Sequence, residues 1–71
     1  MATEVRVYYD QDGNTLTVWF GDPKDEYISE ETGDEVILMK DKLGKVIGFE
    51  KLNFSNVKIS PLRVAFETVA V

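Results

Sequence analysis

The chain has 71 residues and a net charge of −5, and it contains neither cysteine nor histidine. This length indicates one small domain over residues 1–71, near the lower size limit for a fold without disulfides or metal. The missing residue types exclude disulfides and thiolate sites and remove the commonest acid–base group. The acidic balance argues against nucleic acid, and no apolar run approaches the ~20 residues of a membrane span. We therefore expect a soluble, cytoplasmic protein with no nucleic-acid or membrane partner.

The charge is unevenly distributed along the chain. Residues 1–39 hold ten acidic and two basic side chains, whereas residues 40–71 hold three acidic and six basic ones. The simpler interpretation is two solvated surfaces of one folded domain. The alternative is a bipolar molecule that meets a charged partner, such as a basic protein, or a second copy of itself.

The first predicted element is a β-hairpin. Apolar and polar side chains alternate over residues 4–10 and again over residues 15–20, which is the period of a half-buried strand. The DQDGN stretch between them is rich in turn formers, and Gly13 is available for a positive φ. Tyr8 and Trp19 fall on the face opposite the predicted core, where an aromatic pair favours an interface or a second core layer over a ligand site.

The segment between the hairpins is ambiguous. An Asp-Pro pair opens a turn at Pro23, and residues 25–32 fit either a short edge strand around Ile28 or a helical turn. Four acidic side chains flank Gly33, namely Glu30, Glu31, Asp34 and Glu35. Such a run is typical of a solvated loop, since a calcium loop needs alternating oxygen ligands around its glycine.

Residues 36–40 and 45–52 predict a second hairpin, joined by a turn that starts with aspartate and ends with Gly44 in a left-handed conformation. A phosphate-binding loop would place its glycines between a strand and a helix and follow its lysine with Ser or Thr. Here Lys45 is followed by valine and by more strand pattern. Gly48 lies inside the return strand, where it indicates a bulge or the close approach of a backbone or a large side chain.

This second hairpin is apolar on both faces. Alternation predicts one core face, formed with the first hairpin by Val5, Val7, Leu16, Val18, Leu38, Val46 and Leu52. It assigns to the opposite face Ile37, Met39, Ile47 and Phe49. Because a small two-layer protein has one core, the C-terminal segment or another chain must cover that second face. The interface candidates are therefore Tyr8, Trp19, Ile37, Met39, Ile47 and Phe49.

The C-terminal segment completes the predicted fold. Leu62, Val64 and Phe66 alternate with polar or small residues, which favours a last strand; a short helix is the alternative. The fold class is mainly β, with a small α+β fold as the alternative: two consecutive antiparallel hairpins in one sheet plus a C-terminal strand or short helix. In a dimer, residues 64–71 are expected to cross to the partner's sheet.

Two stretches, YDQDGNTLTVWF and VILMKDKLGKVIGFEKLNFS, resemble the YuzE-like family of small bacterial and archaeal proteins, a domain of unknown function. The resemblance covers roughly residues 5–55. In the first stretch it rests on Tyr9, Asp10, Leu16, Val18 and Phe20. In the second it rests on Val36, Ile37, Leu38, Asp41, Gly44, Val46, Gly48, Glu50, Leu52, Asn53 and Ser55.

The resemblance implies a small, mainly antiparallel sheet with no settled activity, and some members look like the antitoxin halves of small gene pairs. The chain departs from the family pattern at three positions. Asn14 and Met39 stand where the family tends to carry aspartate, and Lys51 stands where it carries an apolar residue. Any acidic cluster that the family uses for chemistry is therefore thinned here.

The strongest enzyme-like set consists of four weak catalytic candidates, Asp10, Glu50, Asn53 and Ser55. It would bring carboxylate, amide and hydroxyl groups together, but without histidine the serine would need Lys51 or Lys58 as its base. The favoured alternative is that the asparagine and serine bond the backbone after the strand, while the glutamate pairs with a lysine across the hairpin.

No catalytic residue, metal site or cofactor is therefore predicted. The predicted function is a non-catalytic protein-interaction module that forms a homodimer, with the antitoxin half of a small gene pair as its specific form. The alternatives are a weak carboxylate-based hydrolase and a small-ligand or metal-binding protein.

Overall fold

The computed structural model describes residues 4–56 and 61–70 and forms one five-stranded antiparallel sheet. Its strands are β1 (Arg6–Asp10), β2 (Thr15–Trp19), β3 (Ile28–Glu31), β4 (Val36–Lys40) and β5 (Val46–Lys51). The strand order is β1-β2-β5-β4-β3, so β5 lies at the centre and β1 and β3 are the edges. The predicted mainly β class is confirmed.

The first hairpin, β1–β2, forms as predicted, but its turn differs in one detail. The Oδ1 atom of Asp10 accepts hydrogen bonds from the backbone N–H groups of Asp12 (3.2 Å) and Gly13 (3.1 Å). The residue with positive φ is Asn14, at 53°. The expectation of a positive φ at Gly13 is wrong, because the aspartate-closed turn places the left-handed position one residue later, where asparagine tolerates it.

The second hairpin, β4–β5, confirms the predicted turn. Gly44 has a φ of 82°, and its N–H donates to the backbone oxygen of Asp41 at 3.0 Å. The Oδ1 atom of Asp41 also accepts from the N–H groups of Leu43 and Lys45, both at 2.9 Å. Since β5 continues directly after this turn, the glycines belong to a hairpin and not to a phosphate-binding loop.

The ambiguous segment forms the edge strand, and the turn predicted at the Asp-Pro pair is a 3-10 turn. A 3-10 turn covers Pro23–Asp25, with proline at its start and the Oδ1 of Asp22 accepting from the N–H of Lys24 at 2.9 Å. The edge strand β3 follows and pairs with β4. Among the described residues, no helix has the length and apolar character needed to cross a membrane.

A β-bulge interrupts the pairing between β4 and β5. Met39 pairs with Gly48, and the next pair is Lys40 with Val46, which leaves Ile47 as the extra residue. The bulge predicted from the position of Gly48 is confirmed. From Gly48 onward, the pairing of β5 with β4 is therefore shifted by one residue relative to the pairing next to the turn, and each later side chain of β5 lies on the face opposite to the predicted one.

The shift changes the partners of Phe49. This residue pairs with Leu38 on β4 and with Val18 on β2. Directly paired residues in an antiparallel sheet point to the same face. The prediction that Phe49 shares a face with Ile37 and Met39 is therefore wrong.

The register defines two faces. The first, which we call the valine face, carries Lys51, which pairs with Leu16 and Val36, and seven apolar or aromatic side chains: Val7, Tyr9, Leu16, Val18, Val36, Leu38 and Phe49. The second, which we call the tryptophan face, carries Tyr8, Thr17, Trp19, Ile37, Met39 and Glu50.

Burial is low because the sheet is a single layer. In the described part of the chain the buried apolar residues are Met39 and Ile47, each 5% exposed. Five predicted core residues are only half-buried, namely Leu16, Val18, Leu38, Val46 and Leu52. The core prediction is wrong for Val5 and Val7, which are 45% and 40% exposed, because they lie in or beside the edge strand β1.

Residues 61–70 form neither a strand nor a helix, so the predicted C-terminal element is wrong for these residues. The physical reason is that a strand needs a hydrogen-bonded neighbour, and this segment has none in the single chain. Lys58, named above as a base for the serine, and Val71 lie outside the described residues.

Candidate functional site

The two acidic catalytic candidates lie on β1 and β5 and have different partners. Asp10 closes the β1–β2 turn. Glu50 lies on the tryptophan face, where its Oε2 accepts from the Oγ1 of Thr17 at 3.3 Å. The residues paired with Glu50 are Thr17 on β2 and Ile37 on β4, so the expected lysine partner across the hairpin is wrong.

The other two candidates follow β5. Asn53 has a φ of 50°, and its Nδ2 donates to the Oε2 of Glu35 at 3.2 Å. Ser55 donates its backbone N–H to the Oδ1 of Asn14 (3.2 Å) and accepts at its backbone oxygen from the Nδ2 of Asn14 (2.7 Å). Lys51, the proposed base, lies 3.7 Å from the Oε2 of Glu35. Asp10 and Ser55 thus both bond to the β1–β2 turn, whereas Glu50 bonds to Thr17 and Asn53 to Glu35.

Asn14 is the structural centre of this end of the sheet, and the sequence interpretation missed it. Besides its two bonds to Ser55, its Oδ1 accepts from the hydroxyl of Tyr9 at 2.8 Å, and its backbone oxygen accepts from the N–H of Phe54 at 3.0 Å. The rings of Tyr9 and Phe54 meet edge to face, with centroids 5.9 Å apart. The available signal was an asparagine directly after Asp-Gly in a turn, the position that favours a left-handed residue.

An open depression lies between the 3-10 turn and the β4–β5 turn. It has a volume of about 410 Å³ and is lined by Lys24, Asp25, Glu26, Tyr27, Asp41, Lys42 and Leu43. Leu43 is 93% exposed. Over residues 4–56 and 61–70, no three carboxylates cluster in a way that could hold a metal ion.

Gly48 allows two large side chains to meet at the centre of the tryptophan face. A Cβ atom at this position would lie 2.7 Å from the backbone oxygen of Val18, 2.8 Å from the Cε3 of Trp19 and 3.2 Å from the Cε of Met39. The predicted close approach of a backbone and a large side chain at Gly48 is confirmed. The indole of Trp19 therefore packs over β5 beside the buried Met39.

The six interface candidates are divided between the two faces. Met39 and Ile47 are buried within the single chain, which removes them from contact with a partner. Tyr8 is exposed on the tryptophan face, while Trp19 and Ile37 are half-buried there; Phe49 is half-buried at the centre of the valine face.

The valine face is the larger apolar surface, and its seven apolar or aromatic side chains are only half-buried or, at the edge, exposed. The chain exposes 5920 Å² in total. A folded monomer of 8.1 kDa typically exposes about 4,500 Å². Its radius of gyration is 13.5 Å, against about 11 Å for a compact chain of 71 residues. Part of this excess belongs to residues 61–70, of which all but Leu62 are exposed, and part belongs to the uncovered face of the sheet.

Charged side chains lie on both faces of the sheet, Lys40 and Lys51 on the valine face and Arg6 on the tryptophan face. The Nζ of Lys40 donates to the Oε2 of Glu30 at 3.0 Å, and Lys51 approaches Glu35, so part of the charge asymmetry is compensated within one chain. On β1, the Nε of Arg6 donates to the Oε1 of Glu4 at 2.6 Å, and this hydrogen bond raises the pKa of Arg6.

A family model described as "Protein of unknown function (DUF2283)" matches residues 6–55. The matched region contains all five strands and both ends of the contact between Asn14 and Ser55. No curated protein and no solved structure shows significant similarity to the chain.

Proposed function

The chain belongs to the DUF2283 family of proteins of unknown function, and from this membership and the geometry of the sheet we propose a non-catalytic protein-interaction module that forms a homodimer. In the dimer, the valine faces of two copies pack against each other. The main observation in support is the uncovered apolar surface of a single-layer sheet. The finer YuzE-like grouping stays a prediction.

The exposed area is consistent with a dimer. The exposed surface exceeds that of a compact monomer by about 1,400 Å². A stable interface of standard size buries about 800 Å² on each partner. Covering one face of the sheet with a second copy would remove the part of the excess that the sheet contributes, and two packed sheets would form the two-layer arrangement that small β proteins normally require.

The distribution of side chains on this face also supports the proposal. Leu38, Phe49 and Val18 lie at the centre, and the Lys40–Glu30 ion pair lies toward the β3 edge. An apolar centre with a charged rim is the usual anatomy of a protein interface. Because surface ion pairs contribute little, the apolar centre supplies most of the binding free energy.

Sedimentation equilibrium at tens of micromolar protein tests the dimer. We expect the wild-type chain at twice its monomer mass. Phe49→Asp places a charge at the centre of the face and should give a monomer or an unfolded chain. Val36→Asp is the milder variant: Val36 pairs with Lys51, which neutralises the new carboxylate within the chain, so the fold should persist while the dimer dissociates.

Leu43→Asp is the matched control, because the same change at the exposed turn should leave both the fold and the dimer intact. Circular dichroism reports the fold of each variant. The proposal fails if the folded wild-type chain sediments as a monomer, or if Val36→Asp and Leu43→Asp affect association equally.

A second candidate, the antitoxin half of a small gene pair, is favoured by the acidic edge strand. Every residue of β3 is exposed, and Glu31 adds a second carboxylate beside Glu30. An edge strand also presents unpaired backbone groups to a partner. The partner would be a basic protein encoded by a neighbouring reading frame.

Size-exclusion chromatography of the two mixed proteins tests this candidate. A complex should form that Glu31→Lys weakens and that Asp12→Lys, the same charge reversal at the distant β1–β2 turn, leaves unchanged. Separate elution of the two folded proteins, or equal weakening by both variants, would argue against the antitoxin role.

A further inference from the structure

The C-terminal segment has the side-chain pattern of a strand but no strand partner. Over residues 62–67 the large apolar side chains of Leu62, Val64 and Phe66 alternate with Arg63, Ala65 and Glu67. Phe66 is 78% exposed, and the described residues 61–70 make no hydrogen bond within the chain. A strand-like segment whose backbone groups bond to no other residue and whose apolar side chains are exposed is suited to pairing with the edge of a sheet.

The outer edge of β1 offers the complementary pattern. β1 is an edge strand whose five residues pair only with β2 among the described strands. It begins with a cation, Arg6, and ends with an anion, Asp10, four residues apart. The C-terminal segment carries a cation, Arg63, and an anion, Glu67, at the same spacing.

We propose that residues 63–67 of one copy pair antiparallel with β1 of a second copy, with Arg63 opposite Asp10 and Glu67 opposite Arg6. Opposite charges directly across a strand pair stabilise it, whereas like charges destabilise it. A parallel arrangement in the same register would place Arg63 against Arg6. The charges therefore select both the direction and the register.

The apolar side chains fit the same register. It places Val64 opposite Tyr9 and Phe66 opposite Val7, and both β1 residues lie on the valine face. Ala65, a small residue, lies opposite Tyr8 on the tryptophan face. A slip by one residue would move Val64 and Phe66 to the tryptophan face. The apolar side chains therefore favour the same register as the charges do.

The other edge of the sheet does not match this segment. β3 reads Ile-Ser-Glu-Glu and carries no cation. Pairing there would leave Glu67 without an opposite charge and would place it on an edge that is already acidic. The β1 edge is therefore the better acceptor for the segment.

The inference rests on the proposed homodimer, and it commits to a second copy as the source of the segment. Residues 54 and 55 are fixed beside the β1–β2 turn through Asn14, yet the folded single chain leaves both the segment and the β1 edge unpaired. In a two-fold dimer the exchange is reciprocal, so that each copy donates one strand and receives one.

Disulfide trapping tests the register in the full chain, which has no cysteine of its own. Tyr8→Cys and Ala65→Cys are prepared as two separate variants, mixed and oxidised. Peptide mass spectrometry should find the disulfide that joins Cys at position 8 of one variant to Cys at position 65 of the other. Val64→Cys is the matched control, because its side chain points to the other face; its disulfide with position 8 should be about tenfold less abundant, since disulfides require close and aligned Cβ atoms.

Charge reversal supplies an independent measurement. Glu67→Arg should raise the dimer dissociation constant about two- to fivefold for each lost pair, and adding Arg6→Glu should restore most of it. A third variant carries Tyr8→Cys and Ala65→Cys in the same chain, and the inference is overturned if the mixed single variants form no such disulfide while this double variant closes one within its monomer. It is also overturned if positions 64 and 65 react equally. A wild-type dimer without the disulfide overturns the inference alone, whereas a wild-type monomer overturns the proposed homodimer as well.

Discussion

Replacing Gly48 with alanine should destabilise the sheet at its centre. The added Cβ would lie 2.7 Å from the backbone oxygen of Val18 and 2.8 Å from the indole of Trp19, and real Cβ atoms essentially never approach another atom within 3.0 Å. The oxygen belongs to the neighbouring strand β2, so relief requires β2 and β5 to separate. Met39 can move its terminal methyl group away, but the backbone and the indole ring cannot move without disrupting their own contacts.

The expected cost follows from two opposing terms. Overpacking of this kind typically costs about 1–3 kcal/mol. Alanine also restricts the unfolded chain, which returns up to about 1 kcal/mol. The net loss of about 1–2 kcal/mol is a large part of the roughly 4–11 kcal/mol expected for a domain of this length. It corresponds to a fall in the melting temperature of about 4–16 °C.

Thermal unfolding followed by circular dichroism measures the change, at one fixed protein concentration because association shifts the midpoint. Gly33→Ala is the matched control. Its Cβ would meet no atom within 4 Å, and its φ is not positive, so its melting temperature should stay the same or rise. If Gly48→Ala and Gly33→Ala have the same melting temperature, the close approach of Val18 and Trp19 to Gly48 does not exist in solution.

Three further substitutions test other parts of the structure by chemical denaturation. Asn14→Asp removes the Nδ2 donor to the backbone oxygen of Ser55 and places a carboxylate against that oxygen, so it should cost about 1–3 kcal/mol; an unchanged midpoint would show that this contact does not hold the chain there. Met39→Ala empties a buried position and should cost about 2–5 kcal/mol; a loss below 1 kcal/mol would contradict the burial of Met39. Asp41→Ala removes two hydrogen bonds from the β4–β5 turn and should cost about 1–2 kcal/mol, whereas Leu43→Ala in the same turn should have no effect.

Local patterns predicted both hairpins of this fold correctly, whereas the C-terminal element that they also predicted does not form. The alternation in β1 and β2, the aspartate and Gly44 of the second turn, and the bulge near Gly48 all depend on residues close together in the sequence. The mainly β class follows from these elements. Such features could be predicted because each is determined within a single hairpin.

The features that depend on distant segments could not be predicted in the same way. The bulge at Ile47 decides which side chains share a face with Phe49, and its exact position depends on how β5 fits between β2 and β4. The burial of Met39 requires Trp19 to reach across Gly48 from another hairpin. Asn14 gained its role only because residues 54 and 55 return to the first turn. The alternation of apolar and polar residues does not reveal such contacts between residues that are distant in the sequence.

The strand order also determines where the sheet can open. Residues 6–19 form a local hairpin and residues 28–51 form a local three-stranded meander. Among the described strands, β2 and β5 are the one pair that joins the two units, and a few hydrogen bonds of Asn14 and Ile47 supplement this pairing. A two-stranded hairpin is marginal on its own, whereas three strands can persist. Amide hydrogen exchange should therefore divide the protein into two cooperative units, with the hairpin exchanging first through detachment along this seam. A partner that binds to both β1 and β5 would hold the two units together, and it would slow amide exchange in the hairpin far more than in the meander.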